Sequence, residues 1–336
     1  MIPRIPDPEH RPDWQLALAR AVRSRDELLR LLEIDPAAYR IQPLVGDFPL
    51  RVPRGFVARM ARGDIHDPLL RQVLPLDEET RQVQGYGTDP LGELAAMPSP
   101  GLLHKYRGRA LLTVTGACAV HCRYCFRRHF PYPDANPVGS YWEQAVDHLS
   151  RQTDIHEIIL SGGDPLSLPD ARLQFLTDRL SALPQLRTLR IHTRLPIVLP
   201  ERVDAGLLDW LERQRLRVVM VVHGNHPNEI DDGVTAAMQR LARAGVTLLN
   251  QSVLLRGVND DAGTLIRLSE ALFDAGILPY YLHMLDHVQG TAHFEVDTAQ
   301  ACALHRALHA ALPGYLVPRL VEEIPGQPGK TPVCGP

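Results

Sequence analysis

From Arg109 onward, six short runs rich in apolar and β-branched residues alternate with helical patterns, and this alternation constrains the fold of the 336-residue chain more than any other feature. The runs are RALLTVTG, IHEIILSGG, LRTLRIHTR, LRVVMVVHGN, VTLLNQSVLL and LPYYLHMLD. Between them lie patterns such as RLQFLTDRLSAL, VDAGLLDWLERQ and VTAAMQRLARAG. Runs this apolar read as parallel strands buried on both faces. Right-handed crossovers then leave two arrangements, an arc of a barrel or a doubly wound sheet. In an arc, chemistry gathers on the loops at the strands' C-terminal ends. The polar clusters of this chain fall there: three cysteines after the first run, SGGDP after the second, HTR after the third, HGNHPNE after the fourth and HMLD after the sixth.

Ahead of the alternation the chain reads as helix and loop. SRDELLRLLEI carries Ser24 at an N-cap position with Glu27 three residues on, a capping-box pattern. RVPRGFVARMARGDIHDPLLRQVLP mixes short helical turns with Pro and Gly, and TDPLGELAAMPSPGLLHKY reads as a linker. We therefore divide the chain into a helical region 1–100, an alternating domain 101–296 and a C-terminal segment 297–336. Lys plus Arg total 36 against 39 acidic residues, a net charge of -3, which argues against a general nucleic-acid or anionic-membrane binder and for a small partner. The opening MIPRIPDPEHRPDW holds no apolar run of signal-peptide type, and no later stretch is long enough to span a bilayer. A cytoplasmic setting is expected, where Cys118, Cys122 and Cys125 stay reduced and serve ligation or catalysis.

Those cysteines lie in GACAVHCRYCFRRHFPY, with C-x3-C-x2-C spacing. A structural zinc site normally takes four ligands, and only His121 and His129 are at hand to complete one. Buried, unligated thiols are the bland alternative. An iron-sulfur cluster held by three thiolates leaves one iron open to a further ligand, and it explains why a fourth cysteine is missing. Lys330, in the tail EEIPGQPGK, has by itself the bland reading of a solvated surface charge.

With Tyr124 before its third cysteine, the C-x3-C-x2-C motif resembles that of the radical S-adenosylmethionine (SAM) superfamily. The resemblance implies a partial (β/α)6 TIM-type barrel in which Cys118, Cys122 and Cys125 hold a [4Fe-4S] cluster whose open iron binds SAM. It also implies that Gly162, Gly163 and Asp164 of SGGDP meet the methionyl ammonium. His192 and Arg194 of HTR, the HGNH segment His223 to His226, and Gln251 would line the cofactor site. Each histidine alone has a bland reading, a hydrogen-bonded residue near a strand end.

EEIPGQPGK is similar to the loop that precedes the pyridoxal-phosphate (PLP) lysine of lysine 2,3-aminomutases. CFRRHFPY, RIHTRLPIVLP, NHPNE, TLLNQSVLLRGVND and LPYYLHMLDHVQGTAHF resemble segments of that family as well. The likeness implies Lys330 as the PLP Schiff-base lysine, Lys105 and Arg109 as phosphate contacts, and Tyr106 against the PLP ring. For L-lysine it implies Arg127 at the α-carboxylate, with Asp286 and Glu323 at the ε-ammonium. CRYCFRRHFPY, PGLLHKY and YYLHMLDHVQGTAHF look most like the short bacterial branch. That branch makes β-lysine, with the R isomer expected, to modify elongation factor P through a downstream ligase. The implied activity is a radical isomerisation supplied by an external one-electron donor, in an enzyme that could be a homo-oligomer. A 2,3-aminomutase for glutamate or arginine, or a non-catalytic iron-sulfur or zinc protein, is the alternative. The chain stops at Pro336, short of the zinc-binding extension of the longer clostridial-type enzymes, so no zinc is expected. Cys302 reads as a packing residue and Cys334 as an unassigned thiol.

Overall fold

A computed structural model describes residues 12–37, 48–132 and 140–334. The opening residues 1–11, on which the signal-peptide reading partly rests, lie outside the described residues. Among the described residues, nine strands form one open sheet in sequence order. They are β1 (Leu102–Tyr106), β2 (Arg109–Thr115), β3 (Glu157–Gly162), β4 (Thr188–Thr193), β5 (Arg217–Val222), β6 (Thr247–Val253), β7 (Leu278–His283), β8 (Arg319–Glu322) and β9 (Thr331–Pro332).

The six runs are β2 to β7, all parallel. Strict sequence order with helical crossovers makes the sheet an arc rather than a doubly wound sheet, whose strand order reverses. Three strands add to the expected six. β8 continues the parallel arc beside β7, while β1 and β9 pair antiparallel at the two edges. β8 is four residues long and β9 two, too short for an alternating pattern to show in sequence.

The crossover helices start by a shared device. Asp204, Asp231, Asp261 and Asp297 each accept a hydrogen bond from the backbone N–H three residues on, satisfying a donor that the helix start leaves open. Two of them stop alike. Gly245 and Gly276 adopt φ of 79° and 81°, and the next residue's N–H then reaches back to Leu241 O and Leu272 O, turning the chain into β6 and β7. In the N-terminal region Ser24 caps the helix Arg25–Leu31 as expected. Glu27 does not complete the box; its carboxylate pairs with Arg54 and ties this helix to the turn Arg54–Val57.

One apolar core runs from Trp14 through Phe56, Leu112 and Ile158 to Ile277, so the helical region 1–100 packs into the same interior as the arc. A second cluster, with Leu254, Leu282, Leu308 and Leu320, joins β7 and β8 to the helix Thr298–Ala311. No described helix is long and apolar enough to cross a membrane.

The C-terminal cysteines correct the sequence reading. The antiparallel return of β9 lays the tail against the helix Thr298–Ala311, and Cys302 and Cys334 are joined there as a disulfide. Cys302 is thus not merely a packing residue, nor is Cys334 a free thiol. The bond closes a loop containing Lys330 and restricts the unfolded chain, an effect worth about 2 to 4 kcal/mol. Denatured, non-reduced protein stripped of metal should therefore titrate three thiols. Five would show the pair to be unbonded.

Candidate active site

Apart from Gly224 and His226 of the HGNH segment, the residues singled out above for cofactor, substrate or cluster line one cavity of about 400 Å³ at the C-terminal rim of the strands. That size suits small organic ligands. The three cysteines stand on the loop after β2, and among the described residues no three His, Cys, Asp or Glu side chains converge as a single-ion site requires. The two histidines considered for zinc are otherwise engaged. His121 Nδ1 lies 2.9 Å from Pro49 O, and His129 Nε2 lies 3.2 Å from Gln289 O. Burial and mutual repulsion push the Cys118 thiol well up, and that of Cys125 up to about 11. A positively charged metal cluster is the kind of group that makes such a trio ionise.

SGGDP follows β3 and is fixed against the cysteine loop. Gly163 N donates to Thr115 O at 2.6 Å and Asp164 N to Ala117 O at 2.8 Å. A Cβ at Gly162 would come within 2.5 Å of Thr115 O, and one at Gly163 within 2.4 Å of Ala117 O, so both positions demand glycine for the backbone contact itself. The Asp164 carboxylate is heavily used inside the protein. Oδ1 accepts from Thr193 Oγ1 (2.6 Å) and Leu166 N (3.1 Å), and Oδ2 from Arg194 N (2.8 Å) and Leu195 N (3.0 Å). It thereby locks the loop after β3 to the loop after β4, and any ligand ammonium would share these oxygens.

Three imidazoles face the cavity, His283 buried and His192 and His223 half-buried. His192 and His283 are held neutral by burial and nearby cations, and His223, for the same reasons, titrates only at about 3. Gln251 Nε2 lies 3.0 Å from His223 Nε2. The Nε2 atoms of His192 and His283 have no partner among the described residues. Orphaned polar atoms on a cavity wall fit a polar cofactor. His226, by contrast, turns away, accepting from Asn228 N to cap the turn Pro227–Glu229.

On the other side stands the lysine. Lys330 Nζ donates to Glu323 Oε2 at 2.9 Å, and Lys105 Nζ donates to Glu323 Oε1 and to Leu91 O, both at 3.0 Å. Burial alone would raise the Glu323 carboxyl, but the two ammonium groups hold it down at about 2. Asp286 has no ion-pair partner among the described residues. Burial first, and then Glu323, push it up to about 7. The Arg109 guanidinium lies 4.6 Å over the Tyr106 ring and has no carboxylate partner among the described residues, which leaves it available to an anion.

Arg127 is buried, and its fork is engaged by a residue that sequence reasoning missed. Glu93 accepts from Nε and Nη2, both at 2.7 Å, while Nη1 donates to Ser161 Oγ at 2.9 Å and Gly162 O at 3.2 Å. Glu93 comes from the stretch taken as a linker, which a bridge between Gly87 and Val288 draws over the cavity. Gln72 and Glu229, also missed, form with Asn225 of the HGNH segment a buried polar layer behind Cys122.

Comparison with known proteins follows the same line. The radical SAM superfamily model matches residues 112–268. An L-lysine 2,3-aminomutase of Escherichia coli (strain K12) is 50% identical over 325 residues, covering 96% of this chain and 95% of that protein. One of Haemophilus influenzae is 46% identical over 334 residues, covering 98% of each. The enzyme of that name from Clostridium subterminale is 33% identical over 324 residues, but the match covers only 77% of its length. The chain is thus co-extensive with the shorter relatives, and it belongs to the lysine 2,3-aminomutase family of radical SAM enzymes.

Proposed function

We propose that this chain converts L-α-lysine to β-lysine with a [4Fe-4S] cluster, SAM and PLP. One observation carries the reading: Lys330 and the three cysteines, far apart in sequence, open onto the same cavity together with a half-buried carboxylate, Asp286, that has no ion-pair partner among the described residues. When bound, the cluster and SAM supply a carbon radical, and PLP supplies a carbonyl group to hold the migrating nitrogen.

The chain's own residues bind and orient. Cys118, Cys122 and Cys125 are the cluster ligands, and the orphaned His192 Nε2 is a hydrogen-bond partner for a polar group beside them. Lys330, steadied by Glu323, is the amine to which PLP attaches. Arg109 is the readier phosphate contact, because Lys105 already spans Leu91 O and Glu323. Asp286 and Glu323 together suit a substrate ammonium, and Arg127, shared with Glu93, suits the α-carboxylate. Phe48, Leu91 and Leu103 in the wall limit water at the reacting atoms.

An external one-electron donor completes the turnover. The resemblance to the short bacterial branch supports delivery of the product, with the R isomer expected, to elongation factor P through a ligase. Anaerobic incubation of reduced enzyme with L-lysine, SAM and PLP should yield β-lysine. A β-amino acid formed only from glutamate or arginine would overturn the substrate assignment, and absence of any product would overturn the activity.

A further inference from the structure

Behind Cys122 the protein has built a fixed, oriented cation. Arg194 Nη1 donates to Cys122 Sγ at 2.8 Å, while Nη2, on the far side of the fork, donates to Gln72 Oε1 at 2.6 Å and Glu229 Oε2 at 2.9 Å. Arg194 is 4% exposed and Glu229 0%. Glu229 is itself immobilised, its Oε1 accepting from Gln72 Nε2 and Asn225 N, each at 3.0 Å. The rings of Phe56 and Tyr124 flank the guanidinium at 5.5 and 5.6 Å. Among the described residues, neither Cys118 nor Cys125 accepts a bond from a cationic side chain; the arrangement singles out Cys122.

A guanidinium keeps its proton in a protein interior, and its planar fork binds in a set direction. Glu229 offsets the charge on the side away from the sulfur, which leaves the positive N–H edge aimed at Cys122. Resting on the reading that the three cysteines hold an iron-sulfur cluster, we propose that Arg194, positioned by Glu229 and Gln72, raises the reduction potential of that cluster through its N–H···S bond to Cys122.

The physical reason is differential. One-electron reduction adds negative charge to the cluster and its thiolates, and hydrogen bonds to the sulfurs help set the potential. A nearby fixed cation in a water-poor wall stabilises the more negative state more. The electron comes from the reductant, dithionite in the test below; no bond forms or breaks, and Arg194 holds its proton throughout. The layer that fixes Arg194 draws Gln72 from the N-terminal region, so that region contributes to the cluster's surroundings as well as to the cavity wall.

The test is a potentiometric titration of the anaerobically reconstituted cluster, followed by electron paramagnetic resonance, in the parent, Arg194→Lys and Arg194→Gln proteins without SAM. At one fixed poise the ratio of reduced to oxidised cluster in Arg194→Gln should fall at least about tenfold, equivalent to about 59 mV for one electron, with Arg194→Lys between it and the parent. Full iron content with an unchanged potential in Arg194→Gln would overturn the proposal. Should that variant fail to hold iron, the parent decides the matter. Labelled with 15N in its arginine side chains, it should show hyperfine coupling from a guanidinium nitrogen to the reduced cluster, and no coupling would overturn the N–H···S bond. Parent protein that binds no iron at all would overturn the cluster reading along with this one, a result distinct from an unshifted potential.

Discussion

Borohydride treatment of the PLP-loaded enzyme should fix the cofactor to the peptide containing Lys330, and Lys330→Ala should lose both that label and turnover by a factor on the order of a thousand or more. Two lysines reach the same carboxylate, Lys330 at Glu323 Oε2 and Lys105 at Oε1, so position alone does not separate them. Their settings do. Lys105 is further held by Leu91 O and sits on β1, inside a paired edge strand. Lys330 has only Glu323 as a bonded partner among the described residues, and it stands between the tight turn at Gly326 and β9, outside any strand. An amine that must both form and surrender a bond to a cofactor aldehyde needs such freedom. Lys330→Ala should leave the iron content and the reduced-cluster signal at parent levels, because the two groups are held on different loops of the cavity. Label found on Lys105 instead would overturn the assignment.

Much of this site was legible because strand order and motif order coincide. A parallel arc brings successive strand ends to one rim, so any polar cluster after a buried run was a candidate, and the cysteines, SGGDP, HTR and Asp286 all reach the cavity for that reason, whereas Gln251, within β6, was named by resemblance alone. What stayed hidden has identifiable causes. Glu93 is one acidic residue in a stretch without periodicity, and it enters the wall through the long-range bridge of Gly87 to Val288, which no local pattern encodes. Gln72 and Glu229 act through Arg194, and a residue that serves another side chain has no spacing rule to betray it. HGNH reads as one polar segment, yet the turn at Pro227 sends His226 away from His223. The disulfide between Cys302 and Cys334 depended on the two-residue strand β9, below the length at which alternation is readable. Asp164 illustrates a different limit. Its position at the rim was evident, but four hydrogen bonds within the protein now account for its oxygens, and sequence does not reveal how much of a carboxylate's capacity is already taken.

The acid at the far end of the cavity yields the second large effect. Asp286→Asn should lower kcat/KM for lysine by about 30-fold to several thousand-fold, the range for breaking a buried charge pair at about 2 to 5 kcal/mol. Glu323 already carries two ammonium partners, whereas Asp286 carries none among the described residues, and burial with Glu323 close by holds its pKa up to about 7. The protonated acid therefore prevails below that pH, and an incoming ammonium must expel the proton to gain an ion pair. KM for lysine should accordingly rise by about tenfold for each pH unit below 7 and flatten above it, since only the carboxylate form attracts the cation. Asp286→Asn should abolish that dependence. Stability checks the same pKa by a separate route. An acid whose folded pKa lies above its unfolded value of about 3.9 binds the proton more tightly when folded. Its contribution is then fully present at pH below about 3.9 and is lost as pH rises through about 7. The neutral amide escapes that loss, so at pH 8 the empty Asp286→Asn protein should melt no lower than its parent. Lysine kinetics unchanged by the substitution, with a pH profile that still bends near 7, would show that Asp286 does not receive the ε-ammonium.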